Sequence, residues 1–411
     1  MSHPAPDIAD LGNGYSLLWP EQRVRFLVEY ITRQSSGIYA EFTVMNGGEV
    51  LCEGHRVNLN GDKSRLAKKV QEVDRNSKLS EWTLLIEATA VLVLRRYREG
   101  EPPHRLNADT PVEDLSYQVN PLVHPRKVSI LYGDGGLGKS SLALFIGMLV
   151  ATGASVAGLG AVRGRVLFLD YEDTLDVHAR RRRAIAECHP TLKAAELIYQ
   201  AHHEPIWNIL PTLMRLVQLE HIEFIILDSL AAATCGDASA EAATKAFRAL
   251  RMLNRGALVL AHIPKTNEQQ QEAGIFGSVF YKNFARSTWE LKKEQEVGAD
   301  ESVLGLFNRK SNLSRLHAPI GLRVRQNSSN TAMSYESCDL SRTVELAKGL
   351  PVASRIRDFL EKDGNLYAAK DIAEELELSL GTVKTTLSRH NKLKWNSMGE
   401  GRETKWCVLN R

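Results

Sequence analysis

The sequence holds only five cysteines, Cys52, Cys188, Cys235, Cys338 and Cys407, and no two of them form a C-x-x-C pair. That scatter excludes a zinc knuckle and a disulfide framework, and it suits a reducing compartment, so a cytoplasmic location is expected. Cys188-His189 and His202-His203 are too isolated to read as metal ligands. The stretch from Met1 to Gly14 is polar and lacks the apolar core of a signal peptide. An excess of one charge is missing too. The 52 basic side chains face 49 acidic ones, and a net charge of +3 argues for no partner by itself. Ser140 to Val162 does carry no charge, and a membrane span needs about 20 such residues. Gly147, Gly153, Gly158 and Gly160 interrupt it, so a buried helix, a turn and part of a connection explain it better. No membrane association is expected.

What is present is organised around Val128 to Ser140. Val128 to Tyr132 is a short β-branched apolar run that predicts a buried strand, and Ser141 to Val150 predicts a helix. Between them, Gly133, Asp134, Gly135, Gly136, Leu137, Gly138, Lys139 and Ser140 fit G-x-x-x-x-G-K-S. Glycines let backbone N–H groups curl around phosphate oxygens, and the helix directs its positive end at the same anion. Gly133 to Ser141 is therefore the expected nucleotide-binding segment. Lys139 reaches the β- and γ-phosphates, and the Ser140 hydroxyl completes a Mg²⁺ shell. Gly133, Gly135 and Gly138 also satisfy the dinucleotide pattern G-x-G-x-x-G. That pattern needs an acid about 20 positions on, and it gives no reason for Lys139-Ser140. Residues 151–164 contain no acid, so the phosphate-loop reading stands.

Three further strands follow. Val166 to Leu169 ends in Asp170, with Glu172 and Asp173 just beyond. Ligands bind at that edge of an open α/β sheet, and Glu172 is the candidate base for the attacking water. Phe224 to Leu227 ends in Asp228, the acid that holds Mg²⁺ through water. The next residue is Ser229 rather than a second acid, which strengthens the case for Glu172. Ala257 to Ala261 ends in His262, a candidate γ-phosphate sensor, a core or capping histidine being the alternative. Arg286, Arg309 and Lys310 are candidates to complete a neighbouring subunit's site, and the sequence does not choose among them. The run Arg180 to Arg183 reads as a solvated helix face.

Residues 125–325 resemble the RecA-like P-loop NTPases, particularly the hexameric replicative helicases of the DnaB and plasmid RepA type. The resemblance rests on Gly133–Ser140, Tyr171-Glu172-Asp173, Ile226-Leu227-Asp228-Ser229, and Ala261-His262 followed by Gly277-Ser278. It implies an α/β core with a mainly parallel sheet, ATP with Mg²⁺, and a homo-oligomer, commonly a hexameric ring with DNA in its channel. It puts the catalytic glutamate at Glu172. The K-x-R-like stretch of that family corresponds to Asn308-Arg309-Lys310-Ser311-Asn312, where the order departs.

On either side lie two smaller regions. Residues 1–110 read as a small α+β domain, with strands over 24–32, 37–44 and 49–52 and helices over 63–73 and 81–98. Residues 111–330 form the expected ATPase domain and 331–350 a linker. Residues 351–411 read as three short helices and a hairpin, which resembles a winged helix-turn-helix domain. Its candidate DNA contacts are Thr382, Lys384, Thr385, Ser388, Arg389 and Arg402. Residues 379–411 hold seven basic side chains against two acidic ones, while 351–378 hold four against seven. That asymmetry is the footprint expected for phosphate contact, protein docking being the alternative use of such a module. Two functions remain open at this stage: a helicase or DNA motor in replication of a chromosome or mobile element, and an ATP-switched DNA-binding factor that does not unwind.

Overall fold

The computed structural model describes residues 5–11, 14–100, 103, 105–111, 114–263, 279–362, 364–399 and 404–408. They fall into two compact units, Met1–Asp114 with Glu204–Ile222, and Leu115–His203 with Glu223–Arg411.

The first unit is an antiparallel meander with strand order β1-β2-β3-β4-β5. The strands are β1 (Asp7–Asp10), β2 (Gly14–Trp19), β3 (Val24–Gln34), β4 (Gly37–Asn46) and β5 (Glu49–Asn58). β4 alternates cleanly: Ile38, Ala40, Phe42 and Val44 are buried while the residues between them are partly exposed. Helices α1 (Ser64–Val73) and α2 (Leu79–Glu99) share this core through Leu66, Val70, Trp82, Ile86 and Val93. Trp19 Nε1 donates to Thr89 Oγ1 at 3.0 Å and satisfies a buried indole. β1 and β2 are additions to the sequence reading, which began at Val24; β1 carries an acid at each end and hides its strand character.

In the second unit β6 (Val119–Asn120) leads to β7 (Val128–Gly133) and α3 (Lys139–Thr152). A hairpin, β8 (Ser155–Val156) and β9 (Leu159–Ala161), pairs with β6, so the uncharged run is split between a helix and a small sheet. Among the described residues no helix is long and apolar enough to cross a membrane. The chain continues through β10 (Arg165–Asp170), α4 (Leu175–Cys188) and β11 (Leu197–Ala201). Helix α5 (Leu210–Leu219) belongs to the first unit, although it falls within the 111–330 span expected for the ATPase domain. Then come β12 (Ile222–Asp228), α6 (Leu230–Ala233), α7 (Ala240–Leu253), β13 (Gly256–His262), α8 (Val279–Phe284), β14 (Ser287–Glu294), β15 (Glu301–Ser311), β16 (Ile320–Gln326) and β17 (Met333–Cys338).

One sheet joins nine of these strands in the order β11-β10-β12-β13-β7-β14-β15-β16-β17. Pairing is parallel for β10 with β11, for β12 with β13, and for β7 with both β13 and β14. The last three strands add on antiparallel. Strands β12 and β13 are buried almost throughout, as parallel strands covered on both faces must be. Helix α3 is buried from Leu142 to Val150, which is why its sequence is apolar all round.

The stretch 331–350, expected as a linker, instead supplies β17. Met333 and Tyr335 enter the core while Ser334 and Glu336 face outward, a two-residue period that intervening polar residues mask. Leu340 and Leu346 pack on Phe307. Beyond them lie α9 (Val352–Glu361), β18 (Tyr367–Ala368), α10 (Ala369–Glu375), α11 (Leu380–Arg389), β19 (Trp395–Met398) and β20 (Lys405–Val408), with strand order β18-β20-β19. Ile356, Leu360, Ile372, Val383, Leu387 and Trp395 form their core.

Phe145 sits at the centre of the main core, fully buried, with its ring stacked on Tyr335 of β17 at 4.3 Å between centroids. Phe145→Ala is expected to lower stability by about 3–5 kcal/mol, the usual effect of emptying a buried aromatic position. Urea unfolding of the full chain measures this, and a loss below about 1 kcal/mol would contradict the packing described.

Candidate active site

Strand pairing assembles the site. β13 runs beside β7 in register from Ala257 opposite Val128 to His262 opposite Gly133. His262 is thereby set beside the first residue of the phosphate loop. At Gly133 a Cβ would lie 2.5 Å from the Leu291 carbonyl of β14, so close approach of a neighbouring strand demands glycine there. Gly136 and Gly138 are glycines for another reason, with φ of +76° and +87°. Around Gly135, Gly136 and Gly138 a Cβ would meet nothing within 4 Å, so the loop forms an open cradle. Gly138 also caps α3, and no side chain caps that helix end. Its first N–H groups are left to an anion.

Lys139 is only 5% exposed. Its ammonium has three hydrogens and three partners, the carbonyls of Gly133 at 3.0 Å and Asp134 at 2.6 Å and His262 Nδ1 at 3.3 Å. Burial lowers its pKa, and the carboxylates of Asp228, Glu172 and Asp134 oppose that shift. Because Nδ1 accepts from Lys139, Nε2 carries the ring hydrogen, and it lies 3.4 Å from Glu172 Oε1. The same Glu172 oxygen accepts the Ser229 hydroxyl. Glu172 is the most open member of the group, its side chain 38% exposed.

Asp228 ends β12 at 2% exposure. Burial pushes its pKa up to about 6; a hydrogen bond with Ser140 opposes this, and the carboxylates of Glu172 and Asp170 add to it. A carboxylate so placed, bonded to a serine hydroxyl beside a phosphate cradle, suits a divalent cation that would relieve its charge. The residues present thus fit Mg²⁺ with a nucleotide phosphate chain. Together they can bind and neutralise that chain and offer Glu172 to a water.

Asp170 takes no direct part. Its Oδ1 accepts the backbone N–H groups of Glu172 at 3.0 Å and Asp173 at 3.1 Å. Its Oδ2 accepts His178 Nε2 at 3.0 Å and the Tyr199 hydroxyl at 2.9 Å. Burial alone would raise its pKa, but these four donors, His178 foremost, hold it at about 2. Ligand atoms of Asp170, His178 and Asp228 lie within 4.8 Å of one another, a spacing that a metal ion could bridge. With both oxygens of Asp170 already accepting two bonds each, the cluster is a hydrogen-bonded one.

Other expected residues lie elsewhere. Arg286 is exposed and precedes β14, whose Ser287 pairs with Ser129 near the start of β7, so it sits at the end of the strands opposite the cradle. Arg309 forms a two-point ion pair with Glu290, both nitrogens at 2.7 Å, and lies over the Phe307 ring. Lys310 binds the carbonyls of Asn283 and Ala285 at 2.9 Å. None of the three reaches the site of its own chain. The run Arg180–Arg183, read as solvated, is partly engaged: Arg181 pairs with Asp173 at 2.9 Å, and Arg182 binds the Lys193 and Ala195 carbonyls. In α11, Thr382, Lys384, Thr385, Ser388 and Arg389 are all exposed. Gly277, Ser278 and Arg402 lie outside the described residues.

Residues 98–268 match a family model described as an AAA domain. That segment contains the phosphate loop and the strands ending in Asp170, Asp228 and His262, so the match supports a P-loop ATPase domain. A comparison with curated proteins found no match. Among solved structures the chain is similar to a KaiC-like protein of the archaeon Pyrococcus horikoshii, at 13% identity over 52% of this chain and 93% of that one, TM-score 0.38. A solved ATPase domain follows at 12% identity, 52% and 85% coverage and TM-score 0.39. The flagellar accessory protein FlaH of Methanocaldococcus jannaschii gives 14%, 52%, 90% and 0.35.

The Asp170 network carries a pH signature. A carboxylate whose pKa is depressed on folding adds stability above its unfolded value, and that stability is lost as pH falls through the folded value. Asp170→Asn is expected to destabilise the ATPase unit by about 2–3 kcal/mol at neutral pH, as breaking a buried network does. The gap from the parent should narrow from about pH 4 toward pH 2. Urea midpoints across that range test this, and a gap constant with pH would refute it.

Proposed function

We propose that the ATPase is a Mg-ATP-driven, DNA-binding motor of the replicative-helicase kind, working in replication of a chromosome or mobile element. One observation carries this reading. The chain that holds the phosphate site also holds a module of three helices and a small sheet whose α11 leaves Thr382, Lys384, Thr385, Ser388 and Arg389 exposed. We take this module as a winged helix-turn-helix domain, with α11 entering the major groove, which admits one α-helix. Its seven basic side chains against two acidic ones over residues 379–411 match a phosphate surface.

Bound Mg-ATP supplies the scissile anhydride and a cation that spreads its charge. Lys139 would exchange its carbonyl partners for phosphate oxygens, and Ser140 and Asp228 would hold the cation. Glu172 orients the water and takes its proton. His262, linked to both Lys139 and Glu172, senses whether the γ-phosphate position is filled. Arg286, Arg309 and Lys310 have no place in their own site, and one of them serves the site of the next subunit in a homo-oligomer, a hexameric ring by resemblance. A second reading, an ATP-switched factor that binds duplex without unwinding it, is favoured by the exposed α11, a form suited to duplex grooves.

ATP turnover with no DNA, single-stranded DNA or duplex, run beside a sizing measurement, separates the two. The motor reading expects stimulation by single strands and separation of a forked duplex; sequence-preferring duplex binding with no separation supports the other. Lys139→Ala should abolish binding of a fluorescent ATP analogue. Glu172→Gln should bind it but hydrolyse ATP about 10²–10⁴-fold more slowly. Replacing Lys384 and Arg389 with alanine should weaken DNA binding and lower the salt slope by about 2.

A further inference from the structure

We propose that His178 and Tyr199 are positioning residues that hold Glu172 in place from behind, through Asp170. This inference rests on the reading of Glu172 as the base.

The segment carrying Glu172 is clamped at successive backbone donors. The Tyr171 N–H goes to the Asp228 carbonyl at 2.6 Å, and those of Glu172 and Asp173 go to Asp170 Oδ1. The aim of Glu172 therefore depends on where the Asp170 carboxylate points. Two side chains set that direction by donating to its other oxygen. His178 comes from α4 and Tyr199 from the edge strand β11, where Tyr199 lies opposite Phe168. The tyrosine is held too: its ring stacks beside Phe168 at 6.4 Å between centroids, and His178 packs on Phe168 at 4.5 Å. His178 is 4% exposed, and its Nδ1 has no hydrogen-bond partner. The bond to Asp170 is thus the polar contact that uses the ring. Neither residue reaches the phosphate cradle. His178 acts through the carboxylate and the turn, while the Tyr199 hydroxyl also lies 3.5 Å from the Asp173 carbonyl on the turn itself.

Because Phe168 packing holds both rings, Tyr199→Phe removes one hydroxyl and leaves the hydrophobic contacts. His178→Phe removes the imidazole donor, and His178→Gln restores an N–H of similar reach. In nucleotide-free protein the amides of Glu172 and Asp173 should exchange with solvent about tenfold faster in Tyr199→Phe and His178→Phe, with the β12 and β13 amides unchanged. For ATP hydrolysis kcat should fall about tenfold with KM within about twofold, and His178→Gln should return to within about threefold of the parent. In a Glu172→Gln background neither substitution should lower turnover further. Unchanged exchange, or faster exchange with unaltered kcat, overturns the inference. Normal turnover by Glu172→Gln would instead overturn the base assignment, while exchange still reports whether the two residues hold the turn.

Discussion

The active end of this ATPase depends on the parallel pairing of β13 with β7. Shifted by one residue, that ladder would turn His262 to the other face of the sheet and remove it from Lys139. In the observed register a strand end, a glycine loop and a helix start converge on one ammonium. The buried apolar strands on both sides make that register costly to change. A catalytic arrangement is thus fixed by packing far from it.

The second organising constraint is charge. Three carboxylates, Asp170, Glu172 and Asp228, share a small volume with Lys139. The fold divides them by environment. Asp170 is surrounded by donors and held ionised, with its pKa near 2. Asp228 is buried with few donors and pushed to about 6. Glu172 stays partly open, where a water can reach it. Similar side chains that the fold brings close together thereby take different work: one braces a turn, one suits a cation, and one faces solvent.

Much of this was legible in the sequence where function sits at strand ends. Gly133–Ser140, Glu172, Asp228 and His262 each follow a short apolar run, and the structure gathers them together. The parallel core was legible for the same reason. Tyr199 was not, because Leu197–Ala201 is a half-buried edge strand that lacks a clear pattern. His178 lies on a helix whose sequence is dominated by an arginine run. In sequence Ser229 stands only where a second acid is missing, although its hydroxyl contacts Glu172. β17 was lost among polar residues because only alternate positions enter the core. What escapes a linear reading is partnership between elements distant in sequence.

Lys139 already has all three of its hydrogens placed before any ligand arrives. An incoming anion must therefore replace two carbonyls and an imidazole rather than fill a void. Freeing the ammonium costs those contacts, a loss that a ligand touching both it and the open end of α3 offsets better than one touching either alone.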